Sequence, residues 1–97
     1  MKLLYVYILE CSDGSYYTGI TNNLTRRLEE HQSGRNPDSY TCSRRPVELA
    51  FYAEFTDFYF AIDKEKQIKR WSSAKKKALI EGRFDDLVNL AKKRFTT

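Results

Sequence analysis

The chain has 97 residues, enough for one modest core, and a 41% hydrophobic, 14% aromatic composition excludes an intrinsically disordered chain. A net charge of +4 favours anionic partners, and no apolar run approaches the ~20 residues of a membrane-spanning helix. Two cysteines, Cys11 and Cys42, make no disulfide framework, and a strand starting directly after Met1-Lys2 leaves no signal peptide, so a reduced, cytoplasmic protein of one domain, residues 1–97, is expected.

Leu3 to Leu9 is almost continuously apolar and rich in strand formers, the pattern of a central strand covered on both faces. Ser12-Asp13-Gly14 is a turn signal, and Ser15 to Ile20 reads as the returning strand of a hairpin. Loop length decides where the tyrosines point. A two-residue loop at Asp13-Gly14 pairs Tyr7 with Ile20 and puts Tyr7 and Tyr17 on opposite faces. A three-residue loop with Gly14 left-handed puts both on one face.

Asn22 or Asn23 can cap a helix from about Leu24 to Gln32. Leu24, Arg27, Leu28 and His31 follow the i, i+3, i+4, i+7 spacing of one face, with Arg26, Glu29 and Glu30 on the other. Arg27 is thereby expected to face the protein body and Arg26 water. Ser33 to Arg45 reads as a polar, mobile and partly basic loop, and Pro46-Val47 opens a third strand running to about Phe55. Thr56 or Asp57 caps a second helix over about Phe58 to Ser72, with an apolar face of Phe58, Ala61, Ile62 and Ile68. Glu65 falls at the centre of that face. A third helical piece runs from Ala74 to Glu81 and ends at Gly82, and Asp85 to Arg94 closes with a short amphipathic helix. The order β-β-α-β-α-α-α indicates an α+β domain, an antiparallel sheet flanked by helices.

Tyr7, Tyr17, Arg27 and His31 bring two phenols, a guanidinium and an imidazole into one supersecondary unit, a set suited to binding a phosphate and controlling protons beside it. Each has a plainer role: the tyrosines as sheet aromatics, Arg27 in an ion pair with Glu29 or Glu30, His31 as a packed helix residue. A carboxylate centred on an apolar stripe must be paired or bound to metal, because an isolated buried charge is costly. For Glu65 the alternatives are Lys69, one turn on, or a divalent cation such as magnesium, which needs few carboxylates. Lys64, Lys66, Lys69, Arg70, Lys75, Lys76 and Lys77 form a basic cluster, either a solvated face or, with Arg44 and Arg45, a set of phosphate contacts. Tyr40 and Trp71 could stack on bases, Trp71 fitting the core better.

The stretch YTGITNNLTRRLEEH, together with YVYIL one strand earlier, resembles the GIY-YIG nuclease family, YVY standing at the first half of the motif and YTG at the second. Tyr7, Tyr17, Gly19, Arg27 and His31 fall on motif positions. YTCSRRPVELAF looks like the segment leading into the third strand in the small stand-alone bacterial branch. The resemblance covers nearly the whole chain. It implies a three-stranded antiparallel sheet with the first strand in the middle, and a metal-binding glutamate on a later helix, where Glu65 stands. It also implies a phosphodiester hydrolase using Mg²⁺ or Mn²⁺, with one tyrosine deprotonating water and the other touching phosphate. Three positions depart from the pattern: Tyr5 where glycine is common, Thr18 where an aliphatic residue is common, and Cys42 where the related branch often has arginine.

On this reading the chain is a monomeric, metal-dependent nuclease acting on nucleic acid, DNA before RNA. Low sequence specificity is expected, any specificity coming from DNA structure or a protein partner. The rival classes are a non-catalytic nucleic-acid-binding module and a protein-interaction adaptor.

Overall fold

A computed structural model describes residues 3–83. Strand β1 (Leu4–Glu10) lies between β2 (Tyr16–Thr21) and β3 (Glu48–Phe55), antiparallel to both. Helix α1 (Leu24–Ser33) follows β2, and α2 (Phe58–Lys69) and α3 (Ser73–Ile80) follow β3. The fold is α+β, as expected. The proposed helix over Asp85 to Arg94 lies outside the described residues.

The hairpin takes the three-residue loop. Cys11 N–H donates to Ser15 O, Gly14 N–H donates to Cys11 O, and Gly14 has φ +83°. Asp13 Oδ1 accepts from the Ser15 amide and hydroxyl, which holds its carboxyl below the ordinary range. Tyr7 therefore opposes Gly19 and Leu9 opposes Tyr17, placing both tyrosines on one face of the sheet.

The centre of β1 is buried on both sides. Tyr7, Leu9, Cys11 and Val47 form one cluster, closed by Tyr17, Leu24 and Leu28. Val6, Ile8 and Ile68 form the other, against Tyr16, Ile20, Phe51, Phe55, Trp71, Leu79 and Ile80. Thus α1 covers the first face, α2 and α3 the second, and Trp71 belongs to the core. Cys11 and Cys42 are free thiols.

Capping resolves the open helix starts. Asn23 Oδ1 accepts from Arg26 N–H at 3.1 Å, and Asp57 Oδ1 accepts from Phe60 N–H at 2.9 Å. Gly34, at φ +64°, ends α1.

Three expectations are corrected. The third strand starts at Glu48 rather than at Pro46-Val47; Val47 is instead buried, its amide donating to Gln32 Oε1 and its carbonyl accepting from Gln32 Nε2. The second helix stops at Lys69 instead of running to Ser72, because Ser72 Oγ accepts from Lys75 N–H and starts α3. Phe58 is 53% exposed, so the buried face of α2 begins only at Ala61.

Candidate active site

The site forms where α1 crosses the β1–β2 hairpin. Tyr7 projects from β1 under the helix, and its phenol lies across the Gly19 backbone. A Cβ built on Gly19 would stand 2.5 Å from Tyr7 Oη, so only glycine leaves room for the hydroxyl. Tyr7 Oη is 3.0 Å from His31 Nε2, and Thr41 Oγ1 is 2.7 Å from His31 Nδ1. The imidazole is thus held at both nitrogens. Tyr17 packs edge-on to it, centroids 5.2 Å apart, with the Tyr7 ring 6.3 Å from that of Tyr17.

Burial sets the protonation states. It raises the Tyr7 phenol well above its ordinary value, with the Tyr17 phenol adding to the rise and the Arg27 charge opposing it. Burial also lowers His31 below its ordinary 6.5, helped by Arg27 and opposed by Glu30. At neutral pH the site holds a neutral phenol bonded to a neutral imidazole.

Tyr17, Arg27, Glu30, His31, Arg35, Asn36 and Ser39 line a cavity of about 310 Å³ beside this pair. Arg27 is more exposed than its helix position predicts. Its Nε lies 3.5 Å from Glu30 Oε1, and Glu30, assigned by periodicity to the solvent side, belongs to the cavity wall. The guanidinium still faces the cavity, where an anionic phosphoryl group would displace an exposed ion pair at little cost.

Glu65 is 8% exposed on α2, and Lys69 Nζ lies 3.2 Å from its Oε2. It does not line the cavity. It approaches from the other face of the sheet, on a helix packed against β2, close enough for its charge to raise the Tyr7 phenol further. Among the described residues no group of three His, Cys, Asp or Glu side chains could cage a metal. A single carboxylate suits an ion that keeps most of its waters and takes further oxygens from a phosphate.

The basic residues divide. Arg44 Nε pairs with Asp13 Oδ2 at 3.1 Å, its Nη1 donates to Tyr40 O, and its guanidinium covers the Tyr40 ring at 3.9 Å. Tyr40 stacks in turn on Tyr17. Arg45 donates to Cys42 O and Gln32 O. Both arginines therefore tie the segment 34–45 to the hairpin and to α1, a task that differs from the expected phosphate grip. Lys75 lies over Trp71 at 4.2 Å, Lys77 is exposed, and Lys76 is 8% exposed, burial and then Lys69 lowering its pKa. The run Lys75–Lys77 is therefore not one solvated patch.

Sequence reasoning missed Thr41, Glu30, Arg35, Asn36 and Ser39. Thr41 stood in an apparently mobile loop, and nothing local marks a buried threonine there. Arg35 carried a signal, directly after the Gly34 cap that turns the chain back at the end of α1.

Residues 3–78 match the family of the GIY-YIG catalytic domain. A UPF0213 protein of Syntrophus aciditrophicus is 48% identical over 81 residues, 84% of this chain and 93% of that protein. A UPF0213 protein of Natronomonas pharaonis is 43% identical over 76 residues, 78% of this chain and 88% of that protein. Two solution structures are similar. UPF0213 protein BH0048 of Bacillus halodurans has TM-score 0.54 at 40% identity, covering 81% of this chain and 83% of that one. Protein EF2693 of E. faecalis has TM-score 0.61 at 32% identity, covering 87% and 88%. By its motif, its sheet order and this extent of match, the chain belongs to the GIY-YIG domain family, alongside the small UPF0213 proteins.

Proposed function

We propose that this protein is a divalent-metal-dependent nuclease that hydrolyses phosphodiesters in nucleic acid, DNA in preference to RNA, with low sequence specificity. The observation that carries the reading is the Tyr7–His31 hydrogen bond of 3.0 Å beside a cavity that also presents Tyr17 and Arg27. A buried Tyr–His pair also serves core packing; its place beside Tyr17 and Arg27 at a cavity wall is what supports proton transfer at a phosphate.

The composition of the cavity wall supports the following roles. Arg27 and Tyr17 contact the phosphoryl oxygens, and the Arg27 charge opposes the charge that grows there during cleavage. His31 lines the cavity and Tyr7, 1% exposed, stands behind it, so the two would act as one unit on a water admitted to the Tyr7 hydroxyl: Tyr7 would take a proton from that water as it gives its own to His31. The water oxygen forms the new bond to phosphorus and the ester P–O bond breaks. The departing oxygen takes a proton from solvent, leaving a phosphate monoester and a hydroxyl. Glu65 stands outside this cavity, on the other face of the sheet; it would hold Mg²⁺ or Mn²⁺ there, and the chemistry the ion would supply when bound is Lewis-acid polarisation of a phosphate oxygen.

The Glu65–Lys69 ion pair favours a second reading, a nucleic-acid-binding module without catalysis, in which the carboxylate already has its partner. The deciding experiment is a cleavage assay on a panel of DNA and RNA shapes with magnesium, manganese or chelator, wild type against Glu65→Ala. Metal-dependent cleavage lost in the variant supports the nuclease. Salt-sensitive binding without cleavage supports the module. The absence of both leaves a protein-interaction adaptor.

A further inference from the structure

His31 is flanked by two hydroxyls, and a neutral imidazole has one N–H to give and one lone pair to receive. The ring can therefore sit in two ways. In the first, Nε2–H donates to Tyr7 Oη and the Thr41 hydroxyl donates to Nδ1. The Tyr7 hydroxyl proton is then left over. Tyr7 is 1% exposed, and among the described residues its hydroxyl contacts no acceptor other than His31. A buried donor without an acceptor is costly. In the second, the Tyr7 O–H donates to Nε2 and Nδ1–H donates to Thr41 Oγ1. The Thr41 proton then turns to Ser39 Oγ, 3.4 Å away. Every buried proton in this arrangement has an acceptor.

We propose that Thr41 is a positioning residue that holds His31 in the Nδ1–H tautomer and so makes Nε2 the acceptor of the Tyr7 proton. Thr41 suits the task because it is 0% exposed. Its segment is held on both sides, by Tyr40 stacked on Tyr17 and by Arg44 bridging Tyr40 O to Asp13. Tyr7 from β1, Tyr17 from β2, Arg27 and Glu30 from α1 and Thr41 from the loop surround the ring. Of these, only Thr41 contacts Nδ1. The catalytic consequence rests on the nuclease reading; the tautomer does not.

His31 is the only histidine in the chain, so imidazole ¹⁵N resonances of the labelled full-length protein belong to it alone. At neutral pH the wild-type spectrum should show a protonated Nδ1 and an unprotonated Nε2. Thr41→Val removes the hydroxyl at nearly constant shape and should shift the ring towards the other tautomer, while Thr41→Ser should restore it. In cleavage assays Thr41→Val should lower kcat by on the order of ten- to a hundredfold with KM kept, and Thr41→Ser should recover most of it. A wild-type spectrum with protonated Nε2 overturns the proposal, even if Thr41→Val fails to fold. An unchanged tautomer in folded Thr41→Val overturns it too. The expected spectra in a protein that cleaves nothing uphold the Thr41 assignment and sink the nuclease reading alone.

Discussion

The Tyr7 phenol occupies the space where any other residue at position 19 would carry its Cβ, 2.5 Å from Tyr7 Oη and 2.6 Å from Cζ. Tyr7 faces Gly19 across the β1–β2 ladder, so the two are locked together by register as well as by contact. Gly19→Ala must therefore push a buried ring. It should destabilise the fold by about 1–3 kcal/mol, an overpacking cost, and break the Tyr7–His31 bond. Calorimetry gives the first effect and the ¹⁵N spectrum of His31 the second. An unchanged spectrum would show that the Tyr7–His31 bond survives the added methyl group.

Glu65→Gln keeps the side chain's shape and removes the charge a metal needs. Metal-dependent cleavage should be abolished while DNA affinity in chelator stays near wild type. Lys69 is 58% exposed, so losing its ion pair should cost less than about 1 kcal/mol. A large drop in Tm with cleavage intact would assign Glu65 a structural role.

Arg27 and Arg35 share the cavity, but only Arg27 has a carboxylate within ion-pair distance among the described residues. Arg35→Ala should raise KM with kcat nearly kept and reduce the slope of log affinity against log salt by about 0.9, one phosphate contact. Arg27→Ala should abolish cleavage and weaken binding more modestly. Lys76→Met should leave the salt slope unchanged and hold or raise Tm, because the lysine stem is buried and its charge is disfavoured there. A reduced salt slope in Lys76→Met would return the lysine run to the nucleic-acid interface.

Folding lowers the pKa of His31, so between the folded and unfolded values the unfolded chain binds more protons. The stability His31 contributes is fully present above its ordinary value of 6.5 and is lost as pH falls through that value toward the lower folded one. Tm should therefore fall from about pH 7 towards pH 5, and His31→Gln should flatten that part of the curve. Parallel curves for the two proteins would contradict the assignment.

Features governed by neighbouring residues were legible in the chain itself. The apolar run marks β1 as central, and a helix from Leu24 with a cap at Asn22 or Asn23 is readable, while the residues at Gly14 admit two loops and only the family resemblance favours the bulged one that sets Tyr7 and Tyr17 on one face. Each depends on backbone dihedrals or a hydrogen bond a few residues away. The start of α3 was less clear because Ser72 fits the end of one helix by periodicity and the cap of the next by its hydroxyl. Tertiary structure alone decided what meets across the sheet. Helical periodicity placed Glu65 on an inward face, yet only the packing of α2 against β2 brings its charge to Tyr7 from the far side. Thr41 reaches His31 from the segment 34–45, which Arg44 and Arg45 tie to the hairpin and to α1. Local rules fix dihedrals and faces; which faces touch depends on closing loops between distant residues, and that follows from the packing of the whole domain.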